Sequence, residues 1–304
     1  MIENFRIQVF RAVAEQANFR KASEQLHLSQ PAVSQHIHAL EEELGLRLFD
    51  RGGNRIRLTA AGTTLLKFAR KAAALDEQAQ QALANLQGET GGDLRLGAST
   101  TVAQYILPRI LGSFLKDNPR VNVSVVSGNT EKVVSWVVEG SIGMGMIEGP
   151  ALRKDVHTER FLRDRMVLIA AKGHEWSSAG AIAVEALAKV PLLLREQGSG
   201  SRRVVETALR RAGLPPSRLR VLMELDSTEA IVSGVEAGLG VGFVSQWAIG
   251  KEVRLGTVTP IRIEGLQILR DFSLVRPLGP AVDGPGSVFR RFALAQDKSG
   301  GESG

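Results

Sequence analysis

Near residue 90 the apolar pattern of this chain changes its period, and that change divides it into two structural regimes. Up to about Gly88, apolar residues recur at helical spacing, interrupted only between Phe49 and Leu58. From about Gly92 onward, short β-branched runs alternate with helical stretches, the pattern of an α/β domain. Between them lies Gly88-Glu89-Thr90-Gly91-Gly92, whose glycines end a helix and start a linker. At 304 residues the chain is also too long for one ordinary core, so at least two domains are expected.

The first regime reads as three short helices. Glu3 to about Gln16 carries Phe5, Val9, Phe10, Val13 and Ala14 on one stripe. Asn18 is placed to cap a second helix, Phe19 to Leu26, that buries Phe19, Ala22 and Leu26. Leu28 fills the turn. Ser29 then caps a third helix with Pro31 in its first turn, where a missing N–H costs nothing. In that helix Val33, Ile37, Leu40 and Leu44 recur at i, i+4, i+7 and i+11 and define the buried face. Pro31, Ser34, Gln35 and His38 point the other way, ahead of the acidic Glu41-Glu42-Glu43. A recognition helix needs this order: Gln can pair bidentately with adenine in the major groove, whereas carboxylates there would repel phosphate. Gln30 lies nearer the buried side, placed for the phosphate backbone or the rim of the groove.

Beyond the helix, Arg55-Ile56-Arg57-Leu58 alternates with period two after Gly52-Gly53-Asn54, which reads as a β-hairpin wing. Arg47, Arg51, Arg55 and Arg57 suit it to gripping phosphates. The candidate DNA contacts are therefore Ser29, Gln30, Pro31, Ser34, Gln35, His38, Arg51 and Arg55. Spacing alone also fits a generic three-helix bundle with a basic loop, and a net charge of +6 permits a nucleic-acid partner without requiring one. Thr59 is placed to cap a long helix in which Leu65, Ala72, Ala79 and Leu86 share one heptad position, with Phe68, Leu75 and Ala82 three residues later. Such a seam argues for a coiled coil, against the alternative of a helix packed on its own domain.

In order along the chain, Ala22 to Leu26, Leu28-Ser29-Gln30-Pro31-Ala32-Val33-Ser34-Gln35, Leu40-Glu41, Leu44-Gly45, Leu48-Phe49-Asp50-Arg51 and Leu58-Thr59-Ala60-Ala61-Gly62 resemble the helix-turn-helix of LysR-type transcriptional regulators. The resemblance implies an all-α winged helix-turn-helix over 1–59 (its helix-turn-helix about 19–38) and a linker helix over 60–88 that pairs two subunits. An α/β effector domain follows over 92–296. It further implies a homodimer or homotetramer on double-stranded, partly palindromic promoter DNA, and contact with RNA polymerase, with activation the commoner outcome.

In the second regime strands are expected over Asp93–Ala98, Val121–Ser127, Ile142–Ile147, Met166–Ala171, Leu192–Arg195 and Leu222–Leu225, with another reached through Ala237–Ser245. Several end in Ser, Thr, Asn or Gly just before a helix. Ligands of open α/β sheets sit outside such strand ends, where helix N-termini favour anions. Ser99, Thr100, Thr130, Glu148, Ser199, Ser201, Arg202, Ser227 and Thr228 are the candidate effector contacts, with Arg202 as the charged clamp. For any single hydroxyl, ordinary N-capping explains its presence. Glu148 argues against a highly charged anion unless it recognises a hydroxyl or amine, or stays outside the pocket. Ser99-Thr100-Thr101, Gly198-Ser199-Gly200-Ser201-Arg202 and Ser227-Thr228-Glu229-Ala230 resemble the branch of the family with sulfur-assimilation and carbon-fixation regulators. That resemblance implies a periplasmic-binding-protein-like fold of two subdomains joined by two crossings. Subdomain I is expected over about 92–162 and 268–296, subdomain II over about 163–267, and a disordered tail over 297–304. The expected effector is a small anionic metabolite: a sulfur oxyanion, or a phosphorylated or carboxylated sugar acid.

Other classes fit poorly. The absence of cysteine removes disulfides, thiolate metal sites and cysteine nucleophiles. Gly238-Leu239-Gly240-Val241-Gly242 has Phe243 at the third fingerprint position and precedes a strand, so it is no dinucleotide loop. Gly198-Ser199-Gly200 lacks the frame of a nucleophile elbow, no Walker loop is present, and the histidines show no metal-ligand spacing. Neither an enzyme nor a cofactor nor a metal is expected. No apolar run approaches the ~20 residues of a membrane helix, and Met1-Ile2-Glu3-Asn4-Phe5-Arg6 does not read as a signal peptide, so a cytoplasmic location is expected. A solute-binding protein is the rival reading, since the second domain shares that fold; the helix-turn-helix argues against it.

Overall fold

The computed structural model describes residues 4–50, 56–86, 91–279 and 284–299. Arg51, Arg55 and the expected turn at Gly52-Gly53-Asn54 lie outside the described residues, as do residues 87–90 of the glycine-rich junction and residues 300–304. The chain forms two compact units, one chiefly of residues up to 89 and the other chiefly of residues from 90 onward.

In the first unit, local chemistry starts each helix. Asn4 accepts from the Arg6 N–H ahead of α1 (Phe5–Gln16), and Asn18 accepts from Arg20 and Lys21 ahead of α2 (Phe19–Leu26). Ser29 caps α3 (Gln30–Leu44) by accepting from Ala32. Strands β1 (Phe49–Asp50) and β2 (Arg57–Leu58) pair antiparallel, with Phe49 opposite Leu58. The Thr59 hydroxyl then accepts from the Gly62 N–H at 3.0 Å at the start of α4 (Ala60–Leu86). One core unites these pieces: Val9, Phe10, Val13, Ala22, Val33, Ile37, Leu40, Leu48 and Phe49, closed by Leu66 and Ala69 of α4. Gly62 is required there, since a Cβ would lie 2.1 Å from the Leu48 carbonyl oxygen. Two expected core residues are corrected. Phe5 and Leu44 are exposed, because each ends its helix beyond the reach of the core.

The second unit is an α/β sheet assembly. In chain order it contains β3 (Gly92–Ser99), a π-helical stretch Val102–Ile106, α5 (Leu107–Asp117), β4 (Val121–Gly128), α6 (Thr130–Glu139), β5 (Met144–Glu148) and β6 (Val156–Ala171). Then come β7 (Leu192–Arg195), α7 (Gly200–Arg211), β8 (Val221–Leu225), α8 (Thr228–Glu236), β9 (Val241–Ser245) and α9 (Gly250–Leu255). β10 (Val258–Ile261), β11 (Ile268–Pro277) and α10 (Pro285–Ser299) complete it. The sheet order is β4-β3-β5-β11-β6-β9-β7-β8, with β10 on β6. β3 runs parallel to β4 and β5, and β7 parallel to β8 and β9, so each end of the sheet is a small parallel lobe. β6 and β11 pair antiparallel along their length and join the two lobes. Each lobe has its own core, one around Leu96, Phe114, Phe272 and Phe289, the other around Leu168, Leu192, Leu209 and Phe243.

Four expectations change here. β6 begins at Val156 rather than Met166, because its first half is rich in charge and becomes a strand only by pairing with β11. β10 and β11 form where the sequence pattern shows no strand, and β5 begins at Met144, two residues after the expected Ile142. α10 runs through Ser299, past the start of the expected tail at 297. Among the described residues, no helix is long and apolar enough to cross a membrane.

Candidate functional site

The candidate DNA-binding surface is built on α3. Val33, Ile37 and Leu40 anchor it in the core, which leaves Gln30, Pro31, Gln35 and His38 exposed and Ser34 half-buried on the other side. Gln30, expected nearer the buried side, is exposed. Ser29 is spent as the N-cap, its oxygen 3.3 Å from the Ala32 nitrogen. Glu41 fixes the start of the wing, because one carboxylate oxygen accepts from the Leu48 and Phe49 N–H groups at 2.7 and 3.3 Å. α3 and β1 are thereby held together. Arg47 and Arg57 are exposed beside them. On α4, Leu66 and Ala69 face the core, whereas Phe68, Leu75 and Leu83 are 60, 56 and 54% exposed at spacings of seven and eight. Ala72 and Ala79 of the expected seam are half-buried; the side chains of Ala82 and Leu86 lie outside the described residues.

In the second unit, the strand ends of the two lobes converge on Glu148, which is fully buried at the C-terminus of β5. Ser201 donates to its Oε1 at 2.9 Å and Ser99 to its Oε2 at 3.2 Å. Arg195 Nη1 lies 3.6 Å from Oε1 and Arg270 Nη1 3.9 Å from Oε2. Both arginines have closer carboxylates. Arg195 Nε donates to Glu196 at 2.8 Å, and Arg270 Nε donates to Asp164 at 2.7 Å. Arg270 also donates to Ser201 at 2.6 Å, and Ser245 donates to Asp164 at 2.9 Å. A second seam joins Thr101 to Thr228, 2.9 Å apart, with Arg195 3.4 Å from the Thr228 hydroxyl. Burial pushes the Glu148 carboxyl up, but Arg270 and Arg195, with the Thr101 and Ser201 hydroxyls, outweigh it and hold it below the usual range. For Asp164 burial wins over Arg270 and Ser245, and its carboxyl is pushed up.

The expected effector residues separate into groups. Ser99, Glu148, Ser201 and Thr228 belong to this network, and Thr130 supports it by donating to the Glu148 carbonyl at 3.0 Å. Ser199 and Ser227 are N-caps, accepting from Arg202 and Ala230. The Thr100 hydroxyl is buried without a partner, as are Arg270 Nη2 and Trp247 Nε1. The guanidinium of Arg202, the expected clamp, pairs with Glu206 and Glu224, each at 2.7 Å, and donates to the Arg195 carbonyl at 3.0 Å. Sequence reasoning missed Arg195, Asp164, Arg270, Ser245 and Trp247. A signal existed for Arg195, a charge closing the apolar run Leu192-Leu193-Leu194. None existed for Arg270, which meets Asp164 only through the register of β6 on β11. Among the described residues, no cluster of His, Asp and Glu side chains is arranged to hold a metal ion.

A winged helix-turn-helix joined to a two-lobed α/β domain with a polar seam at its strand ends defines a ligand-responsive DNA-binding regulator. The family model described as "LysR substrate binding domain" matches residues 87–297, and "Bacterial regulatory helix-turn-helix protein, lysR family" matches residues 5–63. The chain belongs to the LysR family of transcriptional regulators. It is 37% identical over 273 residues to a "Probable RuBisCO transcriptional regulator" of Porphyra purpurea, covering 88% of this chain and 86% of that one. The CcmR regulatory domain of Synechocystis PCC6803, solved in complex with 2-PG, is 28% identical with a TM-score of 0.63, covering 68% of this chain and 98% of that one. Full-length OxyR from Pseudomonas aeruginosa matches in fold, with a TM-score of 0.74 at 22% identity over 96% of this chain and 93% of that one.

Proposed function

We propose that this regulator acts in the cytoplasm as a homodimer or homotetramer, binds partly palindromic promoter DNA, responds to a small anionic metabolite and alters contact with RNA polymerase. In this reading residues 1–59 bind DNA, the helix over 60–88 pairs subunits and residues 92–296 sense the effector. The unpaired apolar stripe Phe68, Leu75 and Leu83 supports the pairing. The observation that carries the ligand class is the buried donor without a partner in the Glu148 seam, Arg270 Nη2. A guanidinium N–H can only donate, so the ligand must bring acceptor oxygens. The likeness to CcmR, whose regulatory domain holds 2-PG, supports the same choice. Arg195 and Arg270 take the clamp role in place of Arg202. The effector shifts the equilibrium only by binding one arrangement of the lobes better than the other.

On the DNA side, Gln35→Ala is expected to weaken binding to the specific site by about 1–3 kcal/mol, through loss of a bidentate base contact. Fluorescence anisotropy on specific and unrelated duplexes checks this. A loss of the same size on both would assign Gln35 to the phosphate backbone instead.

A further inference from the structure

The surroundings of the Glu148 carboxylate are those of an anion-binding site. It lies against the first turn of α7, a 12-residue helix whose Ser201 hydroxyl donates to it. Two guanidinium groups and the Ser99 hydroxyl complete the cradle. We propose that Glu148 is a built-in occupant of the effector's anion cradle, standing where the ligand's anionic group binds, so that the effector must displace it. This deepens the effector reading given above and rests on it.

The charge count supports displacement over addition. Inside the seam two cations, Arg195 and Arg270, face two carboxylates, Glu148 and Asp164, with Glu196 on the outer side of Arg195. Counting Glu196, three carboxylates already share these two cations, so a further anion would be buried without a counter-charge, which is prohibitive. Glu148 is also the loosest member. Its contacts to the two guanidiniums are 3.6 and 3.9 Å, against 2.8 Å for Glu196 on Arg195 and 2.7 Å for Asp164 on Arg270. Its departure therefore strands neither cation, and Arg270 Nη2 already points one donor at no acceptor. The backbone stays in place, held by Thr130 on the Glu148 carbonyl and by the close approach of Gly200, so displacement is a side-chain rotation. Because Glu148 reaches from β5 to Ser201 and Arg195 of the other lobe, the same carboxylate latches the lobes together before any ligand arrives. Effector binding exchanges an internal bridge for an external one.

Isothermal titration of inorganic phosphate into the full-length protein tests this, using Glu148→Gln and Glu148→Ala beside the unaltered chain. The Gln variant keeps shape and leaves each guanidinium a carboxylate, so it is expected to fold; thermal melting checks both variants. Phosphate affinity is expected to rise at least tenfold in Glu148→Gln and by at least as much in Glu148→Ala, and to vanish when Arg270→Gln is added in a double variant that thermal melting shows to be folded. Equal or weaker phosphate binding in both Glu148 variants overturns the proposal, including the case in which Glu148 recognises a ligand amine or hydroxyl. If the unaltered chain binds phosphate through Arg270 and the Glu148 variants do no better, the effector reading stands and this inference alone falls. Phosphate binding by none of these proteins overturns both.

Discussion

Arg270→Met is expected to destabilise the second unit by about 3–5 kcal/mol at neutral pH, the cost of stranding a buried partner charge. The Arg270 side chain is fully buried and serves Asp164, Ser201 and Glu148 at once. Without it, Asp164 keeps the Ser245 hydroxyl but no cation, in a site sealed from water. Methionine fills the volume but supplies no donor. The sign of the pH dependence follows from Asp164. Burial already pushes its carboxyl up despite Arg270, and removing Arg270 leaves that push less opposed. A carboxyl raised in the folded state costs stability at pH above its folded value and is relieved below it, so the deficit of the variant is expected to shrink as pH falls. Glu148 works in the opposite direction in the unaltered chain. Its carboxyl is held low, so its contribution is present at neutral pH and is lost as pH falls through the folded value. Denaturant titrations at pH 7 and pH 5 check the variant. A loss under about 1 kcal/mol, or a deficit that grows toward acid, would contradict the assignment of Arg270 as the counter-charge of this seam.

Gly200→Ala is expected to cost about 1–3 kcal/mol by overpacking and to abolish the response to effector. A Cβ there would lie 1.8 Å from the Glu148 carbonyl oxygen and 2.6 Å from the Thr130 hydroxyl. The first of these is backbone, so the contact is relieved only by moving the N-terminus of α7 off β5. That movement separates Ser201 from Glu148 and opens the seam between the lobes. DNA binding draws on a separate core around Phe10, Val33 and Phe49 and is expected to persist. Differential scanning calorimetry and a ligand titration of the DNA-bound protein measure the two parts. An unchanged response would mean that α7 and β5 do not need to touch for signalling.

Local chemistry made the first unit largely legible. Asn18 and Ser29 were readable as caps, and Val33, Ile37 and Leu40 as a buried face, because each depends on neighbours within one or two turns. The misreadings of Phe5 and Leu44 came from extending a periodic stripe to a helix end, where no partner element remains. The seam was harder. Hydroxyls at strand ends pointed to Ser99, Ser201 and Thr228, whereas the pairing of Arg270 with Asp164 spans 106 positions and exists only in the register of two strands. Arg202 is the cation in a Ser- and Gly-rich turn, which is the pattern of a clamp. The signal against it was also local, since Glu206 lies four residues on along the same helix face.

In the proposed function the chain reads DNA sequence rather than only attracting phosphate. Recovery of genomic fragments by the purified protein, in excess unrelated competitor DNA, separates the two. Enrichment of a few discrete, partly palindromic sites that Gln35→Ala weakens is the expected result. Uniform recovery across the genome, erased by the competitor, would contradict it.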